Sequence, residues 1–108
     1  MKKTLYHVYT LVDLGIVKIN EKEVVNETDS SYMLDKKQPI AKRVPKNKVN
    51  KIVDSIVEGN KMAYVDDIEK LEPLYNDMVI FVKKTLDTRL DKTQSALNSL
   101  NNSKFKIN

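Results

Sequence analysis

The first two thirds of the chain consist of short apolar runs separated by turn residues. Runs rich in Val, Leu, Ile and Tyr are typical of strands, and they lie at 4–12, 16–19, 31–34, 40–44 and 62–65. Val24 and Val25 either continue the second run or begin another strand. Turn residues follow at 13–15 and 28–30, where Asp, Gly, Thr and Ser favour tight bends. This spacing predicts a curved antiparallel sheet of about 4–5 short strands.

The pattern changes after Pro45, where apolar residues follow a helical period with polar residues between them. The apolar positions are Val49, Ile52, Val53, Ile56 and Val57. Pro45 stands where a helix could begin and Gly59 where it could end. All five apolar residues are β-branched, which slightly disfavours a helix. On balance the spacing predicts a short helix near 46–58.

A longer apolar stripe follows, with successive members three or four residues apart and a mean spacing of 3.6. Its members are Leu71, Tyr75, Met78, Val82, Leu86, Leu90, Thr93, Leu97 and Leu100. Asp66, with Glu69 three residues later, predicts the N-cap. Pro73 predicts either the start of the main helix or a bend in a single helix. A helix over 73–101 would be roughly 43 Å long, longer than the ~26 Å diameter expected for a domain of this size.

These elements together predict an α+β fold with a small curved antiparallel sheet, a short helix and a long C-terminal helix. We expect residues 1–102 to form a single domain. Within it, 1–66 is mainly β with the short helix near 46–58, and 67–102 is helical. Residues 103–108 are expected to form a tail.

Several kinds of chemistry are excluded by composition. The chain has no cysteine, one histidine and two glycines, so a thiolate metal site, a two-histidine metal motif and a phosphate-binding glycine loop cannot form. His7 lies in strand-like sequence with no neighbouring nucleophile or orienting carboxylate. The acids at 66–72 fit no calcium loop and suit the first turn of a helix. We therefore expect no enzymatic activity, no cofactor and no metal.

The net charge of +4 is a local feature of the sequence. The segment 36–51 carries +7 and contains no acid, so the other 92 residues sum to −3. Its basic residues are Lys36, Lys37, Lys42, Arg43, Lys46, Lys48 and Lys51. Lysines near a helix N-terminus would favour an anion there, either a phosphate backbone or an acidic protein surface. These seven residues are the predicted macromolecule-binding site, and a solvated charged surface is the alternative.

A second candidate surface is the distal part of the long stripe. Its leucines are Leu86, Leu90, Leu97 and Leu100, set among polar residues. A narrow seam of this kind suits another helix more than a broad core. Three possibilities stay open: packing onto the same domain, pairing in a homodimer, and docking on a foreign partner.

Nothing in the sequence predicts a membrane span or a cleaved leader. The longest apolar run, 78–82, has five residues, far fewer than the ~20 that cross a bilayer. The basic start at Met1 is followed by Tyr6, His7 and Asp13, which interrupt the pattern of a signal peptide. With the absence of cysteine, this predicts a cytoplasmic protein.

Four short motifs resemble small accessory proteins of phages and prophages of Gram-positive bacteria. They are Glu23-Val24-Val25-Asn26-Glu27-Thr28, Ser31-Tyr32-Met33-Leu34, Lys42-Arg43-Val44-Pro45-Lys46 and Met62-Ala63-Tyr64-Val65-Asp66. The resemblance implies a curved sheet followed by a C-terminal helix. It also implies a small protein in the cytoplasm of a host bacterial cell that binds a host or phage macromolecule, as inhibitors of bacterial defence systems such as anti-CRISPR proteins do. No functional residue is carried over from it.

The function expected from the sequence is therefore non-enzymatic binding that modulates a host or phage protein. One alternative is a small basic nucleic-acid-binding protein that uses the segment 36–51. Another is a homodimeric structural or assembly module that pairs through the C-terminal helix.

Overall fold

The structure, a computed structural model, describes residues 3–34 and 43–103. Six strands precede one long helix, and three-residue 3-10 helices lie at Val12–Leu14 and Lys46–Lys48. The strands and helix are β1 (Lys3–Leu11), β2 (Ile16–Glu27), β3 (Ser31–Leu34), β4 (Arg43–Pro45), β5 (Val53–Asp54), β6 (Lys61–Val65) and α1 (Ile68–Asn101). The fold is α+β, as the sequence predicts, and its six strands exceed the 4–5 expected.

The strands form one curled antiparallel sheet in the order β4-β3-β2-β1-β6-β5, with the shape of a half-barrel. The first four strands are paired in sequence order, and β6 lies on the other side of β1. Val24–Val25 continue the long strand β2, whose register with β3 shifts between Val24 and Asn26. The two end strands, β4 and β5, are only three and two residues long.

Each face of the sheet has its own apolar core, because successive side chains of a strand point to opposite sides. On the convex face, Val8, Ala63 and Val65 pack against Leu74 and Met78 of α1. On the concave face, the core residues are Leu5, Tyr32, Leu34, Val44 and Val49. The single long helix therefore covers one face of the sheet and leaves the other to the strands and the connection from β4 to β5.

Helix α1 begins after Asp67, whose side chain accepts a hydrogen bond from the Glu69 N–H at 3.0 Å. The N-cap is thus Asp67 and not Asp66, because the Asp66 carboxylate accepts hydrogen bonds from Tyr32 and Asn50. The helix is continuous through Pro73, which corrects the alternative that the main helix begins at that proline. Its 34 residues correspond to roughly 51 Å, and the molecule measures 70 Å along its longest axis.

The short helix predicted near 46–58 is wrong. The structure has a 3-10 helix at Lys46–Lys48, a turn at 49–51 and the short strand β5. Asn50 has a positive φ of 60°, a conformation that ends helical geometry and that Asn tolerates better than most residues. Since the apolar residues of this segment are β-branched, they suit the extended backbone that they adopt at Val53.

Candidate binding cavity on the concave face

The concave face of the half-barrel holds an open cavity of about 530 Å³. Residues from β1, β4, β6 and the hairpin between β5 and β6 form most of its wall. The apolar and aromatic lining residues are Tyr9, Leu11, Val44, Pro45, Val53, Ile56, Val57, Met62 and Tyr64. Lys22, Arg43 and Lys48 also line it, and none of the described lining residues is acidic.

An aromatic row crosses the floor of the cavity. His7 and Tyr64 are register partners on β1 and β6, and their rings stack 4.6 Å apart at 13°. Tyr9 lies two residues further along the same face of β1, and its ring centroid is 4.9 Å from that of His7. The Asn20 amide donates a hydrogen bond to the Tyr9 hydroxyl at 3.2 Å. This row is rigid because it is built on paired strands.

The surroundings of His7 favour its neutral imidazole form. Burial, followed by the nearby charge of Lys22, lowers its pKa below the ordinary value. Its Nε2 atom is buried and has no hydrogen-bond partner among the described residues. Burial also raises the pKa of the neighbouring Tyr64 hydroxyl. His7 and Tyr64 are both partly buried, so the floor is partly shielded from water, which strengthens an electrostatic contact made there.

A polar network fastens the connection between β4 and β5 to the sheet. The Asp66 carboxylate accepts hydrogen bonds from the Tyr32 hydroxyl at 2.8 Å and from the Asn50 amide at 2.7 Å. The Asn50 backbone N–H donates to the Tyr64 carbonyl at 2.7 Å. Burial alone would raise the pKa of Asp66, but these hydrogen bonds and Lys3 lower it further than burial raises it. The network fixes the segment that carries Lys48 beside the cavity.

The mouth of the cavity carries apolar side chains that are open to solvent. Ile56 is 89% exposed and Val57 is 57% exposed. Their turn is ordered by hydrogen bonds: the Ser55 N–H donates to the Asn60 carbonyl at 3.0 Å, and the Asn60 N–H donates to the Val57 carbonyl at 3.2 Å. The hydrogen bonds of the hairpin therefore hold these two side chains in their exposed positions.

The predicted macromolecule-binding residues are only partly brought together. Lys36, Lys37 and Lys42 lie outside the described residues. Arg43 and Lys48 line the cavity, whereas Lys51 is exposed and does not. Lys46 donates to the Glu27 carboxylate at 2.7 Å. The reasoning from a helix N-terminus fails, since among the described residues no α-helix begins at Lys46 or Lys48.

The predicted leucine seam lies at the far end of α1. Leu86 is 37% exposed and approaches Gly15, while Leu90, Leu97 and Leu100 are more exposed. Arg89 forms an ion pair with Asp13 at 2.6 Å. The turns of the helix beyond Arg89 therefore project past the sheet. This position does not support packing of Leu90, Leu97 and Leu100 on the same domain, since each is about half exposed or more.

The acids at 66–72 form no cation site among the described residues, where no group of three or more potential metal ligands comes together. Asp66 and Asp67 have structural roles, as described above. Over the described residues, α1 is the only α-helix, and it is too polar to cross a bilayer.

The residues that sequence reasoning missed are Tyr9, Tyr64 and the apolar side chains at the mouth. A signal was present in and just after β1, where Leu5, His7, Tyr9 and Leu11 alternate with Tyr6, Val8 and Val12, so that both faces are mostly apolar or aromatic, with Thr10 as the exception. Such a strand is covered on both sides, and a single long helix covers one. The second face therefore pointed to a further packed or binding surface.

Comparison with known proteins adds no assignment. No protein-family model, no curated protein and no solved structure matches the chain. The resemblance to phage accessory proteins stays a prediction.

Proposed function

We propose that this protein is a non-catalytic binding protein that takes an apolar, acidic segment of a partner protein into the concave cavity. The observation that carries the proposal is the composition of that cavity: an open apolar wall, three basic side chains and no acid among the described lining residues. The partner would be a host or phage protein, and the location would be the cytoplasm.

Exposed apolar side chains at the mouth of the cavity favour an apolar ligand. Ile56 and Val57 are large, exposed and held in place by their turn. Together with Leu11, Val53 and Met62 they border one cavity. Contiguous exposed apolar surface of this kind is rare unless it contacts something. An apolar side chain inserted among these residues would remove both surfaces from water.

Basic side chains in the cavity wall favour an acidic ligand. Lys22, Arg43 and Lys48 all contribute to the wall. A carboxylate beside the apolar anchor would meet them in surroundings that are partly shielded from solvent. Complementary charge of this kind selects partners and accelerates their association more than it adds affinity.

A protein ligand fits this site better than a nucleic acid. Single-stranded nucleic acids stack on open aromatic faces along a basic groove, whereas the His7 ring here is already stacked on Tyr64. The rest of the wall is largely aliphatic apart from its three basic side chains, so it offers few open aromatic faces to bases. The end strands β4 and β5 lie at the two edges of the sheet, so an extended peptide could also pair with either edge.

A non-catalytic role is supported by the hydroxyls of the site. Thr10 donates to the Asn60 side chain at 2.9 Å and accepts from the Lys61 N–H at 3.0 Å. Ser55 accepts from the Val57 N–H at 3.2 Å. The two aliphatic hydroxyls of the wall are thus used to hold the hairpin, and neither is paired with His7 as an activated nucleophile would be.

The test is a peptide array in which apolar octamers carry either two acidic or two basic flanking residues. Wild-type protein should bind the acidic set in preference. The variant Arg43→Glu/Lys48→Glu should reverse that preference, and Lys83→Glu/Lys84→Glu should not, because Lys83 and Lys84 are exposed on α1 and the change in net charge is the same. Equal binding of both peptide sets, or equal effects of the two variants, would refute the proposal.

A nucleic-acid ligand is the second outcome that the test must separate. An electrophoretic shift of single-stranded or duplex DNA that weakens steeply with salt and is lost in Arg43→Glu/Lys48→Glu would favour the nucleic-acid alternative. The peptide proposal requires that Ile56→Ser, which leaves the charge unchanged, weakens binding by about tenfold, the loss of roughly one buried apolar side chain.

A further inference from the structure

The last turns of α1 leave the body of the protein. The Arg89 guanidinium donates a hydrogen bond at 2.6 Å to Asp13, which lies in the 3-10 helix that follows β1. Beyond it, every side-chain hydrogen bond described for 90–103 stays within the helix, as from Gln94 to Asn98 and from Ser103 to the Ser99 carbonyl. A free helical end of this length is marginal in water unless one face packs on something.

The projecting turns carry a heptad seam. Leu90, Thr93, Leu97 and Leu100 are spaced by three, four and three residues, the repeat of positions that meet in a coiled coil. Leu90 is 64% exposed and Leu100 is 69% exposed. From Thr93 to Asn101 the helix has no ionisable residue, so its tip neither repels an identical tip nor selects a charged partner.

We propose that this seam is the interface for a second copy of the chain, paired antiparallel through the projecting turns. The sheet packs on α1 nearer its start, through Leu74 and the stripe residue Met78. A parallel partner helix would run into that sheet, whereas an antiparallel one meets only the free turns. The proposal is independent of the cavity.

The antiparallel register also suits the side chains. With the two-fold axis beside Ser95, Leu90 faces Leu100 of the second copy, and Thr93 faces Leu97. Every layer then contains a leucine, whereas a parallel pair would place Thr93 against its own copy. In the antiparallel pair Arg89 lies opposite an asparagine, Asn101, and no like charges face each other.

The first test is the mass of the protein by sedimentation equilibrium from 10 to 500 µM, over which we expect a rise from 12.5 kDa toward twice that value. The seam is short, so a dissociation constant on the order of 100 µM is expected. Leu97→Ser should weaken dimerisation at least tenfold. Ile80→Ser is the matched control, because Ile80 is 49% exposed and Leu97 is 48% exposed, and Ile80 lies off the stripe.

The second test measures orientation. The chain has no cysteine, so Lys84→Cys can carry a single spin label without other changes. An antiparallel pair centred on Ser95 separates the two labels by roughly 33 Å along the helix, while a parallel pair brings them to about 10 Å. A monomer at every concentration, equal effects of the two serine variants, or the shorter label distance would overturn the proposal.

Discussion

Replacing Tyr32 with Phe tests whether the polar network beneath the cavity holds the fold together. Tyr32 is 4% exposed. Its hydroxyl donates to Asp66 at 2.8 Å and accepts from Lys3 at 2.7 Å. The substitution removes these two bonds and keeps the ring in the core that it shares with Leu34 and Val44.

The expected loss follows from the kind of bond removed. A hydrogen bond to a charged group contributes about 1.5–3 kcal/mol, and the partial exposure of Asp66 favours the lower end. Lys3 is largely exposed, so its bond adds little. We therefore expect Tyr32→Phe to lower the free energy of unfolding by about 1.5 kcal/mol at pH 7, or the melting temperature by about 8 °C.

The effect should depend on pH in one direction. The folded-state pKa of Asp66 lies below its ordinary value, so the carboxylate stabilises the fold fully above about pH 4. That contribution is lost as the pH falls through the lowered folded-state pKa. The difference between wild type and Tyr32→Phe should therefore shrink between pH 5 and pH 2.

Urea denaturation followed by circular dichroism measures both quantities. Tyr75→Phe is the control, because Tyr75 is also partly buried and its hydroxyl has no partner among the described residues. A loss below 0.5 kcal/mol, which is the ordinary scatter for surface substitutions of about that size, would refute the reasoning. So would a difference that stays constant down to pH 2.

Two further predictions concern the two faces of the sheet. Burial lowers the folded-state pKa of His7, so the unfolded chain binds the proton first and stability should fall as the pH drops below about 6.5. His7→Phe should remove this loss between pH 7 and pH 5, measured as the urea midpoint. An unchanged dependence of the midpoint on pH would contradict the prediction. Met78 is fully buried between α1 and the sheet, so Met78→Ala should cost about 3 kcal/mol; a midpoint within error of wild type would show that the helix is not docked there.

The sequence predicted those elements whose signals are local. The strand at 31–34 was predicted with the bounds that the structure has, because Thr28 turns the chain just before it and bonds Ser31. The long helix was predictable from its stripe, whose middle members Met78 and Val82 are buried. Near its start the sequence placed the N-cap one residue early. Asp66 and Asp67 are adjacent carboxylates, and only the contacts of Asp66 with Tyr32 and Asn50 decide between them.

The apolar second face of β1 indicated a further covered surface, but the shape and lining of the cavity were not predictable, because the contacts that build it join distant parts of the chain. His7 stacks on Tyr64, and Thr10 binds Asn60. A periodicity measured within one segment cannot report such pairs. Grouping basic residues by their sequence positions also misses contacts between distant parts of the chain. Arg43 and Lys48 line the cavity together with Lys22, which lies outside the predicted segment. Lys46, which lies inside it, is paired with Glu27.

The wrongly predicted helix and the unpredicted cavity have the same cause. Had 46–58 been helical, its apolar face would have packed on the concave side of the sheet, the one large apolar surface of the described residues that α1 leaves open. Val53, Ile56 and Val57 would then have covered Tyr9 and Tyr64, and no cavity would exist. Instead Asn50 turns the chain with a positive φ, and Val53 extends the sheet beside Met62. Ile56 is left 89% exposed at the mouth. Three of the five apolar residues that imitate a helical period, Val53, Ile56 and Val57, thus line the cavity and would be covered by the proposed partner, which is why Ile56→Ser is the substitution that best separates binding from folding.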